Sequence, residues 1–570
     1  MASFAIYING QEVQAEEGQT VLQAAQAAGI HIPTLCHHPM LSSFGGCRMC
    51  LVEVEPRGQL HPACTFPVAP GLRVHTHSEK VLKAREFVLQ WLFSERGHYC
   101  MYCAASGECE LQKLAYEHGI DHWLYGRPDE RYPIDASRKY FLMDHNRCVL
   151  CRRCVRACAE ISAVHTLGVG ERGARSIIVA DLDVPFGEST CISCGTCLQV
   201  CPVGALIDRR SAYMGRDELL GATRSICFGC SIGCGIVGRT RSQKLLRIEG
   251  DWDAPVNRGL LCSRGRLEPL YVAAMRISAP MKKQVNGEFS RCSEAEALAL
   301  VQEQIASASG GVGLYVSSRS SNEELEALVD SLGARPGSLW LLDGRPAAPI
   351  EGARIGTLAD VQEARLILAV GASLDDENEV LACYMRRAVD KGAALYLVGC
   401  RAAKLERLAA AVLPMGELAE AIAAAASAAA PVVVYGPGIG RQAHALLAGL
   451  RQATFLPIPE GVNTVAASSM GFRPVEERGA ATESVAYFYL ADATALPTLT
   501  SRARFTIVHA AYWSDLARSA DLVLPAPLWS EKEGHLTNFA GQVQEVRQLV
   551  EPPGFAITAQ RVSASVRVGV

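Results

Sequence analysis

The sequence predicts a multidomain protein, α+β through its first half and α/β through its second. Three observations carry this prediction. The chain has 570 residues, enough for several domains at about 150 residues each. Of its 22 cysteines, 19 fall between Cys36 and Cys262, and only Cys292, Cys383 and Cys400 lie in the 308 residues beyond. After about Ser278, short apolar runs (GLYVSS, LILAVG, ALYLVG, VVVYG, FTIVHA, DLVLP) alternate with helical stretches such as EVLACYMRRAVDKG, the pattern of parallel strands covered by helices.

Taken in order, residues 1–78 alternate apolar and polar positions around Asn9-Gly10, a strong hairpin signal. TVLQAAQAAGI then has helical spacing, so a small β-rich domain with one helix is expected. Over residues 79–138 the runs KVLKAREFVLQWLFSE and CELQKLAYEHGI are helical, which places the intervening His and Cys residues at helix ends and in the joining loop. Residues 139–215 contain an internal repeat: RCVLCRRCVRAC recurs 43 residues later as TCISCGTCLQVC. Residues 220–275 are Gly-rich and carry four more cysteines, and 276–570 form the α/β region.

Composition excludes several classes. The cysteine density is too low for a disulfide miniprotein and far above the needs of an ordinary cytosolic enzyme. The start, MASFAIYINGQEVQAEEGQ, has no basic or apolar leader pattern. The most apolar run, AIAAAASAAAPVVVYGPGIG, is broken by Pro431 and Pro437, short of the roughly 20 apolar residues that span a bilayer. A soluble, cytoplasmic protein with no membrane span is expected. The net charge of −4 offers no basic field for nucleic acid.

The cysteines sort by spacing. Cys36, Cys47, Cys50 and Cys64, with Gly45-Gly46 entering the close pair, suit zinc or an iron–sulfur cluster, since both take tetrahedral sulfur. A glycine-rich CxxC loop with two distant cysteines favours [2Fe–2S], although the spacing is not the plant type. The repeat is more specific. Cys148, Cys151, Cys154, Cys158 and Cys191, Cys194, Cys197, Cys201-Pro202 both follow the bacterial ferredoxin run, in which the fourth cysteine of each copy ligates the other cluster. Cys148, Cys151, Cys154 and Cys201 are therefore expected on one [4Fe–4S] cluster, and Cys191, Cys194, Cys197 and Cys158 on the second. The first copy has Ala159 where the second has Pro202.

Between these regions Cys100, Cys103 and Cys109 offer three thiolates to a cube that wants four ligands, and His98 is the nearest candidate for the fourth. His118 and His122 read as structural. Cys227, Cys230, Cys234 and Cys262 form a further [4Fe–4S] set. Every cysteine before residue 263 then has a set, and Cys292, Cys383 and Cys400 read as buried small hydrophobes. Arg152, Arg153 and Arg156 interleave with the ferredoxin cysteines, either as solvated helix charges or as a docking patch.

This order of cysteine sets resembles the largest iron–sulfur subunit of respiratory complex I, the diaphorase small subunit of NAD-reducing hydrogenases, and the α subunit of NAD-dependent formate dehydrogenases. Complex I subunits place the ligand His four residues before the first Cys. Here Arg96 stands there and His98 is at two, a spacing more like the hydrogenase and formate dehydrogenase lineage. The resemblance implies a β-grasp ferredoxin domain over 1–78, a one-His/three-Cys domain over 79–138, a double ferredoxin over 139–215 and a molybdopterin-oxidoreductase-type [4Fe–4S] domain over 220–275. Residues 276–570 then read as a truncated, degenerate molybdopterin-oxidoreductase-like region.

The departures bear on that last part. Working members of the molybdopterin superfamily present a Cys, selenocysteine or Ser to the metal after the SSRSSNEE-like segment, with a His beside it in formate dehydrogenases. Residues 323–382 here contain neither Cys nor His. Gly399-Cys400 stands at the usual Asp-Pro, and Arg264 at the usual Lys of CxKGR. A scaffold without molybdopterin is expected.

The cofactors expected are one [2Fe–2S] and four [4Fe–4S] clusters, about 18 irons. A pyridine nucleotide gives up two electrons as hydride while a cluster takes one at a time, so a flavin must stand between them. The chain lacks a GxGxxG after a strand; YGPGIG is a poor match. An FMN- and NADH-binding partner subunit and a second redox module (hydrogenase, formate dehydrogenase or similar) are therefore expected. The function expected is an electron-transfer subunit of an NAD(H)-linked oxidoreductase, with no independent active site and membrane association only through partners. The alternatives are a peripheral-arm subunit of complex I and a molybdenum or tungsten formate dehydrogenase.

Overall fold

In the computed structural model, which describes residues 2–125, 131–334, 337–375, 377–479, 482–494, 496, 499 and 501–567, Asn9 and Gly10 take left-handed backbone at φ 54° and 84°. They turn β1 (Ser3–Ile8) back onto β2 (Gln11–Glu16), the primed turn whose twist matches paired strands. Thr20 caps α1 (Val21–Ala27) in a reciprocal box with Gln23, satisfying two orphan amide donors. β3 (Leu51–Val54), β4 (Gln59–Pro62) and β5 (Arg73–His75) complete a five-stranded mixed sheet in the order β2-β1-β5-β3-β4. Ile6, Ile8, Leu22, Val52 and Val74 fill its core, each contributing about 1.5–3 kcal/mol of apolar burial.

Ser78 caps α2 (Glu79–Glu95), and α3 (Glu110–Glu117) starts directly after Cys109. The loop between these helices carries His98, Cys100 and Cys103. Arg85 of α2 is buried and donates to the Leu51 carbonyl at 2.8 Å, holding helix against sheet. Arg96, just beyond α2, is also buried: it donates to the His145 carbonyl at 2.7 Å and lies 4.1 Å over the Tyr132 ring. Its role is to tie the helix end to the segment before Cys148.

The cysteine repeat is a structural repeat. α4 (Arg153–Arg156) and α5 (Thr196–Gln199) occupy corresponding positions. Each follows two left-handed residues at matching places, Leu150 and Arg152 in the first copy and Ser193 and Gly195 in the second. Where Ala159 stands, the first helix continues as a wider turn through Ile161; where Pro202 stands, the second ends at Gln199, because proline disfavours helix at the residue before it. All of this lies within one unit, residues 1–220.

The second unit, 221–570, opens with a three-stranded antiparallel sheet, Gly221–Ile226, Gly235–Arg241 and Lys244–Gly250. An eight-stranded sheet follows. Leu339–Leu341, Val312–Val316, Val485–Ala491, Phe505–Ala510 and Leu522–Pro525 run parallel at its centre, and the hairpin Met281–Lys283/Phe289–Arg291 adds antiparallel at one edge. A six-stranded parallel sheet is centred on Leu366–Val370 and Val432–Tyr435. Val312–Val316, Leu366–Val370 and Val432–Tyr435 are buried along their whole length, which is why they read as unbroken apolar runs. Among the described residues no helix is long and apolar enough to cross a membrane.

Candidate metal centres

The loop between α1 and β3 delivers Cys36, Cys47 and Cys50, and Cys64 follows β4. Cys36 N–H donates to Cys47 Sγ at 3.3 Å. Cys36 and Cys47 share one thiol hydrogen bond, Cys50 and Cys64 another, and in each pair one sulfur is held below its usual range and the other well above it. The Gly46 and Gly45 amides reach Cys36 and Cys64. Gly46 leaves no space for a side chain, since a Cβ would lie 2.1 Å from the Phe44 ring.

Of the ferredoxin arginines, Arg153 and Arg156 are engaged within the unit, whereas Arg152 is exposed. Arg156 donates to the carbonyls of Ser42 and Cys36, Glu160 accepts from Ser42 N at 2.7 Å, and Phe44 lies under Arg152 and Arg156 at 5.0 and 5.6 Å. Arg153 is buried against Glu110. Arg156 thereby anchors the Cys36–Cys47 loop to the repeat.

His98, Cys100, Cys103 and Cys109 line one cavity of about 20 Å³, together with Phe93 and Gly204. The His98 ring bonds the Leu92 carbonyl, whereas its Nε2 is buried with no hydrogen-bond partner. An N–H given to a carbonyl from Nδ1 leaves Nε2 as a bare lone pair, the state a metal ligand needs. Burial and the neighbouring Arg147 and Arg96 hold this imidazole near 4, so it stays neutral. Burial pushes Cys109 up to about 12. Gly204 belongs to the wall: a Cβ there would lie 2.5 Å from Cys103 Sγ. His118 and His122 stand apart from this cavity, His122 on the surface beside Asp121.

Cys148, Cys151, Cys154 and Cys201 line a second cavity of about 20 Å³. Cys197 lies next to Cys194, Cys191 and Cys158. Thus Cys201 stands with the first three cysteines and Cys158 with the second three. Leu150 N–H donates to Cys148 Sγ at 3.4 Å and Ser193 N–H to Cys191 Sγ at 3.3 Å, an equivalence that the paired left-handed turns produce. Burial pushes Cys148 and Cys158 up to about 11 and Cys191 to about 12. A cationic iron core bound there would offset that penalty, because it would stabilise the thiolate form.

Cys227, Cys230, Cys234 and Cys262 gather, all buried, at one end of the three-stranded sheet. Cys227 N–H donates to the Cys234 carbonyl at 2.9 Å, and Gly229 N–H to Cys227 Sγ at 3.2 Å. Gly229 and Gly265 press on Cys227, where a Cβ would sit 3.2 and 3.0 Å from its sulfur. Spacing did not reveal Arg319, whose Nη1 donates to the Phe228 carbonyl at 2.6 Å while its other nitrogens hold Asp492 at 2.8 and 2.9 Å. Lys532 bonds Glu324 at 2.8 Å beside it. Of the solitary cysteines, Cys383 is buried and Cys292 and Cys400 are half-buried.

Among the described residues no three His, Cys, Asp or Glu side chains close up around a single metal ion. The two cavities above instead leave space between their sulfurs.

Five family descriptions match successive parts of the chain. They are "2Fe-2S iron-sulfur cluster binding domain" at 2–79, "NADH-ubiquinone oxidoreductase-G iron-sulfur binding region" at 85–123 and "NADH-quinone oxidoreductase subunit 3, ferredoxin-like domain" at 140–207. "Molybdopterin oxidoreductase Fe4S4 domain" matches 221–273, and "Molybdopterin oxidoreductase" 276–561.

Among curated proteins, an NADH-quinone oxidoreductase subunit of Rhizobium meliloti is 31% identical over 76% of this chain and 52% of its own length. The NADPH-Fe(3+) oxidoreductase subunit alpha of Geobacter sulfurreducens is 31% identical over 69% of this chain and 44% of its own. NADH-quinone oxidoreductase subunit 3 of Thermus thermophilus is 28% identical over 94% and 79%. The chain thus spans about half the length of the first two relatives.

Proposed function

The chain belongs to the molybdopterin oxidoreductase family, and from that premise we propose that it is an iron–sulfur electron-transfer subunit of an NAD(H)-linked multisubunit oxidoreductase. It would relay single electrons between a partner FMN/NADH subunit and a second redox module. Similarity to NADH-quinone and NADPH-Fe(3+) oxidoreductase subunits supports the reading. The division is in five parts, 1–78, 79–138, 139–215, 220–275 and 276–570, the first a β-grasp ferredoxin.

The residues fit iron–sulfur clusters. Cys36, Cys47, Cys50 and Cys64 would hold a [2Fe–2S] cluster. Four [4Fe–4S] clusters would take His98, Cys100, Cys103 and Cys109; Cys148, Cys151, Cys154 and Cys201; Cys191, Cys194, Cys197 and Cys158; and Cys227, Cys230, Cys234 and Cys262. Bound there, the clusters supply one-electron carriers whose potentials follow ligand type, hydrogen bonding and burial. The chain's own residues supply thiolates and one neutral imidazole and hold several of the sulfurs with backbone amides. The observation that carries the reading is the crossing of Cys158 and Cys201 between the two repeat copies, which two-cluster ferredoxins require and zinc sites do not.

The residues of the larger domain do not fit a molybdopterin. Arg319 and Arg345, basic groups that follow strands of the eight-stranded sheet, are spent on Asp492 and Glu460, and residues 323–382 provide no cysteine or histidine to a metal. No step is assigned there.

Anaerobic purification of the complex tests the proposal. It predicts a co-purifying FMN protein, about 18 irons per copy of this chain, and no molybdenum or tungsten. Zinc in place of iron would overturn it, and one molybdenum or tungsten per chain with a bound pterin would make the chain the catalytic subunit instead.

A further inference from the structure

The two copies of the cysteine repeat differ in what their sulfurs face. In the second set, Thr196 donates its hydroxyl to Cys194 Sγ at 3.4 Å, and Ser162 Oγ lies 3.3 Å from the same sulfur. Both hydroxyl side chains are fully buried, at 0% exposure. By the 43-residue offset, the positions corresponding to Thr196 and Ser162 around the first set are Arg153 and Ala205. Ala205 lines the cavity of Cys148, Cys151, Cys154 and Cys201, so like places are being compared, and neither residue has a hydroxyl.

The nearby cations do not separate the two sets, since Arg96, buried beside Cys148, bonds the neutral His145 carbonyl. Arg153 is closed on the Glu110 carboxylate, which offsets its charge. Arg138, buried beside the second set, bonds the neutral oxygens Ser193 Oγ at 2.9 Å, Ser189 Oγ at 3.2 Å and Phe186 O at 2.7 Å.

A cysteine that ligates iron carries no proton, so both hydroxyls at Cys194 must donate to it. A donor to a thiolate stabilises the more negative, reduced centre more than the oxidised one, and burial strengthens the effect. We infer that Ser162 and Thr196 are positioning residues that hold the centre on Cys191, Cys194, Cys197 and Cys158 at a higher reduction potential than its twin. That centre is then the electron-accepting member of the pair. The step it governs is the gain of one electron from an external reductant, with no bond made or broken. The inference rests on the ligand sets proposed above.

The test is an EPR-monitored potentiometric titration of the full chain, purified anaerobically, with iron counted in every sample. Thr196→Val, close to isosteric, and Ser162→Ala should each lower the midpoint of one and the same [4Fe–4S] signal. The expected change is about tenfold in the reduced-to-oxidised ratio at fixed potential, or about 59 mV for one electron. Thr196→Ser should restore the midpoint, and Ala205→Ser should raise that of a different signal.

Unchanged midpoints with full iron would overturn the inference and leave the ligand sets standing. Should Thr196→Val lose iron, Thr196→Ser and Ala205→Ser decide: a loss of iron or a lowered midpoint in Thr196→Ser, or no rise in Ala205→Ser, counts against it. If Cys194→Ser keeps every iron and every signal, the ligand assignment itself fails.

Discussion

Arg153 closes on Glu110 with two parallel hydrogen bonds, Nη1 to Oε1 at 2.6 Å and Nη2 to Oε2 at 2.7 Å. The pair joins α4, inside the first cysteine repeat, to the first residue of α3, directly after Cys109. Glu110 N–H also donates to the Pro202 carbonyl at 2.9 Å. One residue thus touches both copies of the repeat and sits between Cys109 and Leu111, which line the His98 cavity.

Glu110→Ala should therefore destabilise the first unit. Arg153 is 5% exposed and would keep an unpaired charge, whereas Glu110 is 42% exposed, so the cost is discounted from the value for a fully buried pair to about 2 kcal/mol. Limited proteolysis under anaerobic conditions reads it as faster cleavage within residues 1–220. Cleavage at the wild-type rate would show that the pair adds nothing.

His98 offers a sharper contrast. His98→Ala should cost one cluster, about four of about 18 irons, because Nε2 has no other partner to lose. His98→Cys should keep the iron and lower that cluster's midpoint, since thiolate replaces a neutral ligand. Full iron in His98→Ala would remove His98 from the ligand set.

Much of this was legible in the chain because it is local. Asn9-Gly10 dictates its turn through backbone preference, and the cysteine spacings repeat because the left-handed residues before α4 and α5 repeat. Strands such as Leu366–Val370 announce themselves as apolar runs. What was not legible depends on chain segments that meet only on folding. Ser162 reaches Cys194 across 32 residues, and Arg319 meets Phe228 across 91. Nor does spacing tell that Arg153 is paired rather than solvated, since Glu110 lies 43 residues away. The strand Val485–Ala491, central to its sheet, reads as VAYFYLA, a run that periodicity alone does not separate from a buried helix turn.

Stability of the second unit should fall in mild acid, through His509. The ring is fully buried, accepts from Tyr487 Oη at 2.9 Å and donates Nε2–H to the Ile557 carbonyl at 2.8 Å. Burial, with a smaller contribution from the Lys532 ammonium, pushes it down to about 4. The unfolded chain takes up a proton near pH 6.5, which the native ring refuses. The stabilisation is therefore complete above pH 6.5 and lost as pH falls toward 4, by up to about 3 kcal/mol. His509→Asn should be less stable at neutral pH but show a flatter decline between pH 6.5 and 4 in denaturant titrations. An identical decline would assign the pH dependence to other groups.

Gly204 tests whether the His98 cavity is shaped for its contents. Its backbone is in an ordinary conformation, so the effect of a methyl group there is steric: a Cβ would lie 2.5 Å from Cys103 Sγ and 3.1 Å from Ala105 Cβ. A sulfur fixed by iron is unable to step aside as a free thiol could. Gly204→Ala should thus lose about four irons, or shift one EPR signal while the others stay in place. Gly168→Ala, in the same unit, meets only the Val179 side chain at 3.9 Å and should leave iron and spectrum unchanged. If Gly204→Ala also keeps its iron and its spectrum, Cys103 has freedom that a ligand would not have, and the three-cysteine set would have to close without it.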